Sequence, residues 1–465
     1  MKRFRTLILL TTLALPFSLL AQAQTIFAVQ EYGAKGDGAT VNTQAIQAAI
    51  DAAHEAGGGK VLISGGTFLS GTLILRSGVE IHITAGDTLL GSPYLRDYPD
   101  MEQRTIRSYT ERYSRKAFIY AESATDIALT GRGMIHGNSY APEFKAAEHG
   151  RDKPLGMRLI SCKRVKIEGL TLTSAGLWLQ HYLNCEGLHI EGITAINHGN
   201  FTNDGLNVDG CRNVSIKNIR IDSHDDALVF KSTGPARCEN ITVRNCDLKS
   251  HCHGLKFGTE TTGGFSNIDI ANITISASDS VHYKTGTLWR VITGVALELV
   301  DGGTMENIRI HNLRADSVYA PIFVKLGNRA RKHTDDAPEP PPGQMRNIHL
   351  SNFRITNAGP FSSSVTGFPG HYIQNVTLEN IDIAYNEAPG ADELFNEVPE
   401  NEKRYPEITM FTKGLKSRKY LPTHGLFARH VEGLVIRNFN VTPTQDDPRP
   451  KFEFIEVKRL NIDED

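Results

Sequence analysis

The 465-residue chain lacks an excess of either charge: 50 Lys and Arg stand against 52 Asp and Glu, a formal net charge of -2. So weak a field excludes a basic nucleic-acid binder and an acidic tail protein. With 22% charged and 40% hydrophobic residues, the composition is globular rather than disordered. Beyond its N-terminal leader the chain lacks any apolar run approaching the ~20 residues needed to span a bilayer. Its six cysteines (162, 185, 211, 238, 246, 252) form no CxxC pair, and Cys252 lies between His251 and His253 without a second pair at ligand spacing. No zinc site is read from that pattern, and thiols buried in a large core are expected instead. Gly57-Gly58-Gly59-Lys60 lacks the GxxxxGK[ST] spacing and follows a helical pattern, so it reads as a helix C-cap and not a phosphate loop.

The leader itself is informative. Lys2, Arg3 and Arg5 precede an apolar run from Leu7 to Leu20 that ends in Ala21-Gln22-Ala23, the pattern of a secretory signal cleaved after Ala23. Residues 24–465 are therefore expected as a periplasmic or secreted protein, with no membrane segment in the mature form and no nucleic-acid partner, acting as a monomer.

Length alone suggests roughly three domains of ~150 residues. A recurring phrase replaces that expectation with one. Cys162-Lys-Arg-Val-Lys-Ile-Glu-Gly-Leu170 returns as Cys185 to Ile193, Cys211 to Ile219, Cys238 to Cys246, Phe265 to Ile273, Met305 to Leu313, Met345 to Phe353, Ile373 to Ile381 and Val431 to Phe439. The step between starts is nearly constant from Cys162 to Phe265 and lengthens by insertion after Phe265, Met305 and, most of all, Ile373. Apolar residues alternate with polar ones within each phrase, as in a strand with one buried face, and Asn or Gly stands where a turn must form. A strand and turn of this length cannot bury its apolar face alone, but stacked copies make one continuous core. The pattern predicts an all-β, right-handed parallel β-helix over 24–465, with Cys162, Cys185, Cys211 and Cys238 in an inward ladder continued by Phe265 and Met305. Ahead of the coils, Asn42 to Ala53 carries apolar residues at helical spacing, a capping helix that covers the open end of the stack.

Asp204-Gly-Leu-Asn-Val208, Asp226-Ala-Leu-Val-Phe230 and His253-Gly-Leu-Lys-Phe257 align without gaps, each one coil after the last. Stacking brings Asp204, Asp226 and His253 into one row. Val295-Ala-Leu-Glu-Leu299 continues the pattern, which sets Leu206, Leu228, Leu255 and Leu297 inward and Asn207, Val229, Lys256 and Glu298 outward. Asp225 joins the cluster only if the chain turns or bulges at His224-Asp225. Three crowded carboxylates raise at least one pKa, which is what a general acid beside a general base requires. A solvated acidic row or a Ca²⁺ site would use the same residues; the histidine at coil register favours catalysis.

These segments resemble glycoside hydrolase family 28, the polygalacturonases and related pectin hydrolases, whose motifs are Asn-Thr-Asp, Gly-Asp-Asp, Gly-His-Gly and Arg-Ile-Lys. The first corresponds to Thr202-Asn203-Asp204, the second to His224-Asp225-Asp226, the third to Cys252-His253-Gly254, and Trp178-Leu-Gln-His181 is similar to the family's W-x-x-H. The resemblance extends from Tyr32-Gly-Ala-Lys-Gly-Asp-Gly38 through the coils. It implies that Asp225 is the general acid, that Asp204 and Asp226 activate water on the opposite face, and that His253 tunes or orients the acid. The reaction implied is a single inverting displacement on a pectic poly- or oligosaccharide, with no metal or organic cofactor.

The fourth motif falls at Ala296-Leu297-Glu298, so both cations that grip a galacturonate carboxylate are replaced, one of them by an anion. Thr202 likewise stands in place of an Asn. Lys256 and Glu298 are expected to form an ion pair or to recognise substrate. Lys231, Arg290, Lys325, Arg329 and Arg331 are the other cations within reach of a uronate, and Asn203, Asn207 and His181 complete the expected substrate contacts. Long insertions, above all Ala384 to Arg429, are expected to close the cleft into an exo-acting pocket. Its expected substrate is a galacturonate-containing chain, the rhamnogalacturonan type being favoured by the missing clamp. The alternatives are a β-helix polysaccharide lyase and a non-catalytic carbohydrate-binding β-helix.

Overall fold

The computed structural model describes residues 24–147, 152–200, 202–280, 290–404, 419–444 and 447–463. The leader expected over residues 1–23 lies outside them. In the described residues, 31 strands from Ile26 to Asp463 join one sheet, and the ladders between successive coils are parallel. Inward Val165, Ile167 and Leu170 and their counterparts are almost wholly buried, so the repeated phrase supplies a core that runs the length of the stack.

The corners are made by asparagine. At the third position of the phrase Asn213, Asn240, Asn267, Asn307, Asn347 and Asn375 hold φ between 54° and 58°, and at the eighth Asn218, Asn245, Asn272, Asn312, Asn352, Asn380 and Asn438 hold φ between 48° and 60°. Asparagine is among the few residues that enter this left-handed region readily. From Asn240 and Asn245 onward each side-chain amide then donates to the asparagine one coil back, as Asn272 does to Asn245 at 3.0 Å and Asn312 to Asn272 at 3.2 Å, while Asn218 at the start of its row donates to Glu191. Asn272→Ala is expected to destabilise the fold by about 1–2 kcal/mol because alanine resists that φ. Asn272→Gly, which accepts the backbone and loses only the exposed ladder bonds, should cost less; paired urea melts check the order.

The cysteine ladder forms: register sets Cys162 and Cys185 beside each other through their neighbours Lys163 and Glu186, continues through Cys211 and Cys238, and pairs Cys238 with Phe265 and Phe265 with Met305. All four cysteines are free and buried. The capping helix α1 (Thr43–Glu55) buries Ile46, Ala49, Ile50 and Ala53. Asn42 does not cap it through its side chain; that amide bonds the Lys35 main chain and the Thr40 carbonyl instead, pinning the preceding loop.

One face of the stack carries β1 (Gln180–Leu183), β2 (Leu206–Asp209), β3 (Leu228–Ser232), β4 (His253–Thr261), β5 (Val291–Leu299) and β6 (Val318–Leu326). Leu206, Leu228 and Leu255 stand in register, but the next partner is Val295, and Leu297 lies opposite Phe257. The expected alignment of β5 is therefore out by one full alternation, from Leu297 to Val295. Alternation has period two, so such a slip keeps every side chain on its face and leaves no trace in the pattern.

Candidate active site

Asp204, Asp226 and His253 sit where β2, β3 and β4 begin. The backbone registers them: Gly205 N–H donates to the Asp226 carbonyl and Ala227 N–H to the His253 carbonyl, both at 2.9 Å. The glycines that follow are required by space. A Cβ on Gly205 would stand 2.3 Å from the Ile221 side chain, and one on Gly254 would stand 2.5 Å from Ile275. Close approach of adjoining core side chains thus explains Asp-Gly and His-Gly in local terms.

Residues 224–227 form the corner between the strand ending at Ser223 and β3, so the turn required at His224-Asp225 is present. Asp225 is half-buried, its carbonyl accepting from the Ser223 and Ser250 hydroxyls at 2.7 Å each, while its Oδ1 accepts the Asp226 N–H at 3.0 Å. Asp204 is buried, and that burial, followed by the charges of Asp225 and Asp226, pushes its carboxyl well above the ordinary range against the pull of Lys231 and Lys256. The three carboxylates therefore share one electrostatic site.

Lys256 serves that site: its Nζ lies 3.1 Å from Asp226 Oδ2, both groups being nearly buried. The register sets Ala296 beside Lys256 and Glu298 beside Lys325. Burial opposes the charge on Lys231, but Glu260, Asp204 and Asp226 outweigh it and raise its pKa. Its ammonium stands 3.3 Å from Glu260 and 5.0 Å from the centre of the Trp178 ring.

Several expected substrate contacts turn out to be built into the walls. His181 is wholly buried, with Nε2 3.0 Å from Asp209, and burial lowers its pKa. It packs edge-on to Trp178 at 5.2 Å. Asn203 braces the corner, donating to the Ala175 and Leu177 carbonyls at 3.0 and 2.7 Å and accepting from Asn200 N–H. Asn207 is buried and donates to the Gln180 carbonyl. Thr202 alone of that segment is exposed. Arg290 is tied to Glu387 and Asn386, Arg329 grips Asp301 through two nitrogens, and buried Lys325 donates to the Glu400 carbonyl at 3.0 Å. Burial, reinforced by Arg429, pulls the Lys325 pKa down to about 8. Each of these three cations holds a loop.

Two features escaped the sequence. Glu260, buried, takes Lys231, Arg331 at 2.8 Å and the Tyr113 hydroxyl at 2.9 Å; burial works against its charge, yet the surrounding cations hold its carboxyl well below the ordinary range. His198, His224 and His251 pack edge to face, His224 being the chain neighbour of Asp225, with ring centres 6.0 Å apart for His198 and His251 and 5.8 Å for His224 and His251. Their recurrence at one histidine per coil was the available signal.

Two segments cover the outer face on either side of the carboxylates. The first, 98–115, reaches across through Tyr109 N–H to the Thr233 carbonyl, Arg158 to Gln103 at 2.7 Å, and Tyr113 against Trp178 at 5.1 Å. The second belongs to the long insertion: Phe395, Val398 and Leu421 pack on Ala296, Phe323 and Phe427. Residues 405–418 of that insertion lie outside the described residues. Asp204, Asp226, Lys231 and Lys256 are each at most 6% exposed between these covers.

A model of the "Glycosyl hydrolases family 28" matches residues 63–399. An "Exo-poly-alpha-D-galacturonosidase" of Dickeya chrysanthemi is 38% identical over 120 residues, covering 24% of this chain and 19% of that protein. The chain spans less than half the length of the curated relatives it matches. Among solved structures, a family 28 exopolygalacturonase of Yersinia enterocolitica superposes with TM-score 0.69 at 19% identity, covering 94% of this chain and 78% of that one. An exopolygalacturonase of Thermotoga maritima gives 0.64 at 21% identity, with 78% and 87% covered. At such identities the likeness is one of fold, a right-handed parallel β-helix.

Proposed function

The chain belongs to the glycosyl hydrolases of family 28, and from that premise we propose that it is a secreted, inverting, exo-acting hydrolase of a galacturonate-containing pectic chain. The observation that carries this reading is the placement of Asp204, Asp225 and Asp226 together between two covering segments. In the proposed reaction Asp225, at the corner and more exposed than its neighbours, protonates the glycosidic oxygen. Asp204 and Asp226 hold the water that attacks the opposite face of the sugar, and Asp226 takes its proton. Lys256 and Lys231 keep negative charge tolerable on that pair in a site with little solvent, and His253 adjoins Asp226 to orient the acid.

Exo action is supported by the two covers, 98–115 and the described part of the insertion at Phe395, Val398 and Leu421, between which Asp204 and Asp226 are nearly enclosed. The activity in the name of the Dickeya chrysanthemi relative agrees with it. A neutral sugar at the subsite of the missing clamp, as in rhamnogalacturonan, is supported by Ala296 beside Lys256 and by Glu298 beside Lys325, which leave no cation pair there for a uronate. Secretion rests on the Lys2-to-Ala23 leader pattern.

A time course on a panel of long pectic oligosaccharides tests the reading, with the anomer of the first product read by NMR. Monosaccharide or disaccharide is expected from the earliest points, in the inverted configuration. Immediate mid-size fragments would remove the exo assignment, and an unsaturated product absorbing in the ultraviolet would make the protein a lyase.

A further inference from the structure

We propose that Asp226, Cys252 and His253 form a binding site for a thiophilic divalent cation, Zn²⁺ being the type, and that the bound ion inhibits hydrolysis. One carboxylate oxygen, the thiol sulfur and one imidazole nitrogen lie within 4.8 Å of one another. Oxygen, nitrogen and sulfur in this combination are zinc ligands, and three protein ligands with a fourth position left to solvent is a recurrent zinc arrangement. The site is built into the fold. Asp226 and His253 are 3% and 0% exposed, and the backbone bond from Ala227 N–H to the His253 carbonyl holds the two coils in register.

Neighbouring residues in a strand point to opposite faces. Cys252 nevertheless joins His253 because it lies in the corner ahead of β4, where its N–H donates to Ser250 Oγ at 2.7 Å. Sequence spacing concealed this group, since Asp226 reaches it only by stacking from the preceding coil. Cys252 also stands where the motif it resembles carries glycine, so the sulfur is an addition of this chain. The other described cysteines are buried in the core, and Cys252 is the half-exposed one.

Binding exchanges a proton for a metal bond. The cation takes the thiolate electron pair, and the thiol proton leaves to solvent. The same ion ties up Asp226, the carboxylate assigned above to water activation, and opposes Lys256 at 3.1 Å from it. Inhibition therefore follows from occupancy, while the site itself stands independently of the proposed substrate.

Co²⁺ titrated into the full-length protein tests the site without reference to activity. A thiolate-to-cobalt charge-transfer band is expected to saturate at one equivalent, to be displaced by Zn²⁺, to vanish in Cys252→Ser and in Cys252→Gly, and to persist in Cys246→Ser. Hydrolysis by the parent protein should fall with Zn²⁺ and recover with chelator, and Cys252→Ser should need at least ~10-fold more Zn²⁺ for half-inhibition, as expected when a metal loses affinity with a ligand or its support. Absence of the band, its survival in both Cys252 variants, or stimulation by Zn²⁺ would overturn the proposal. Failure of the pectic assay alone bears only on the function.

Discussion

Asp225→Asn is expected to lower kcat/KM on a pectic oligosaccharide by about 10²–10⁴-fold, the range contributed by a positioned general acid. The amide keeps the shape of the carboxylate and an oxygen able to accept the Asp226 N–H now bonded at 3.0 Å. The corner is held mainly by main chain, through the two serine hydroxyls on the Asp225 carbonyl and the Asp225 N–H on the Asn203 carbonyl at 3.3 Å. The variant should therefore fold and melt like the parent. An aryl galacturonide whose phenol leaves without protonation separates this role from mere positioning. The variant should recover much of its rate on such a substrate, because the step it lost is no longer needed. Near-normal turnover on the natural linkage would show that Asp225 is not the acid.

The second large effect couples activity to stability. Asp204→Asn should abolish most turnover, by about 10²-fold or more if Asp204 holds the attacking water, and yet raise the melting temperature at pH 7. Burial first, and then Asp225 and Asp226, lift the Asp204 carboxyl well above its ordinary value of 3.8. A carboxyl raised by folding keeps its proton in the native state after the unfolded chain has released it. Below pH 3.8 both states are protonated and nothing is lost; above it the native state binds more protons, and stability declines with rising pH until the native value is passed. Asparagine carries no such penalty. Melting curves of the two proteins should coincide near pH 3 and separate in favour of the variant towards pH 7. A variant that melts lower at pH 7 would show that Asp204 is held as a stabilising carboxylate by Lys231 and Lys256.

How much of the molecule could be read in advance depended on whether the signal was local or periodic. The coil was written out again and again from Cys162 to Phe439, and with it came the cysteine ladder, the rows of Asn272 and its partners, and the alignment of Asp204, Asp226 and His253. The turn at His224-Asp225 was legible too, since two adjacent strand residues cannot share a face. The place of Glu298 was not, because alternation is blind to a shift of two. Nor were the allegiances of the cations legible. Lys325 and Arg290 belong to the insertion, Arg329 to Asp301, and Lys231 to Glu260, and each choice depends on where loops return over the sheet.

The sequence by itself determined the β-helix, the capping helix and the coil that carries the carboxylates, since apolar alternation at a constant repeat leaves one way to bury the core. Only the tertiary structure decided the electrostatics. Charge couples residues across coils through distance and burial, neither of which is encoded by a motif. That is why Lys256 pairs with Asp226, why His181 packs edge-on to Trp178, and why Cys252 adjoins a carboxylate that belongs to the preceding coil.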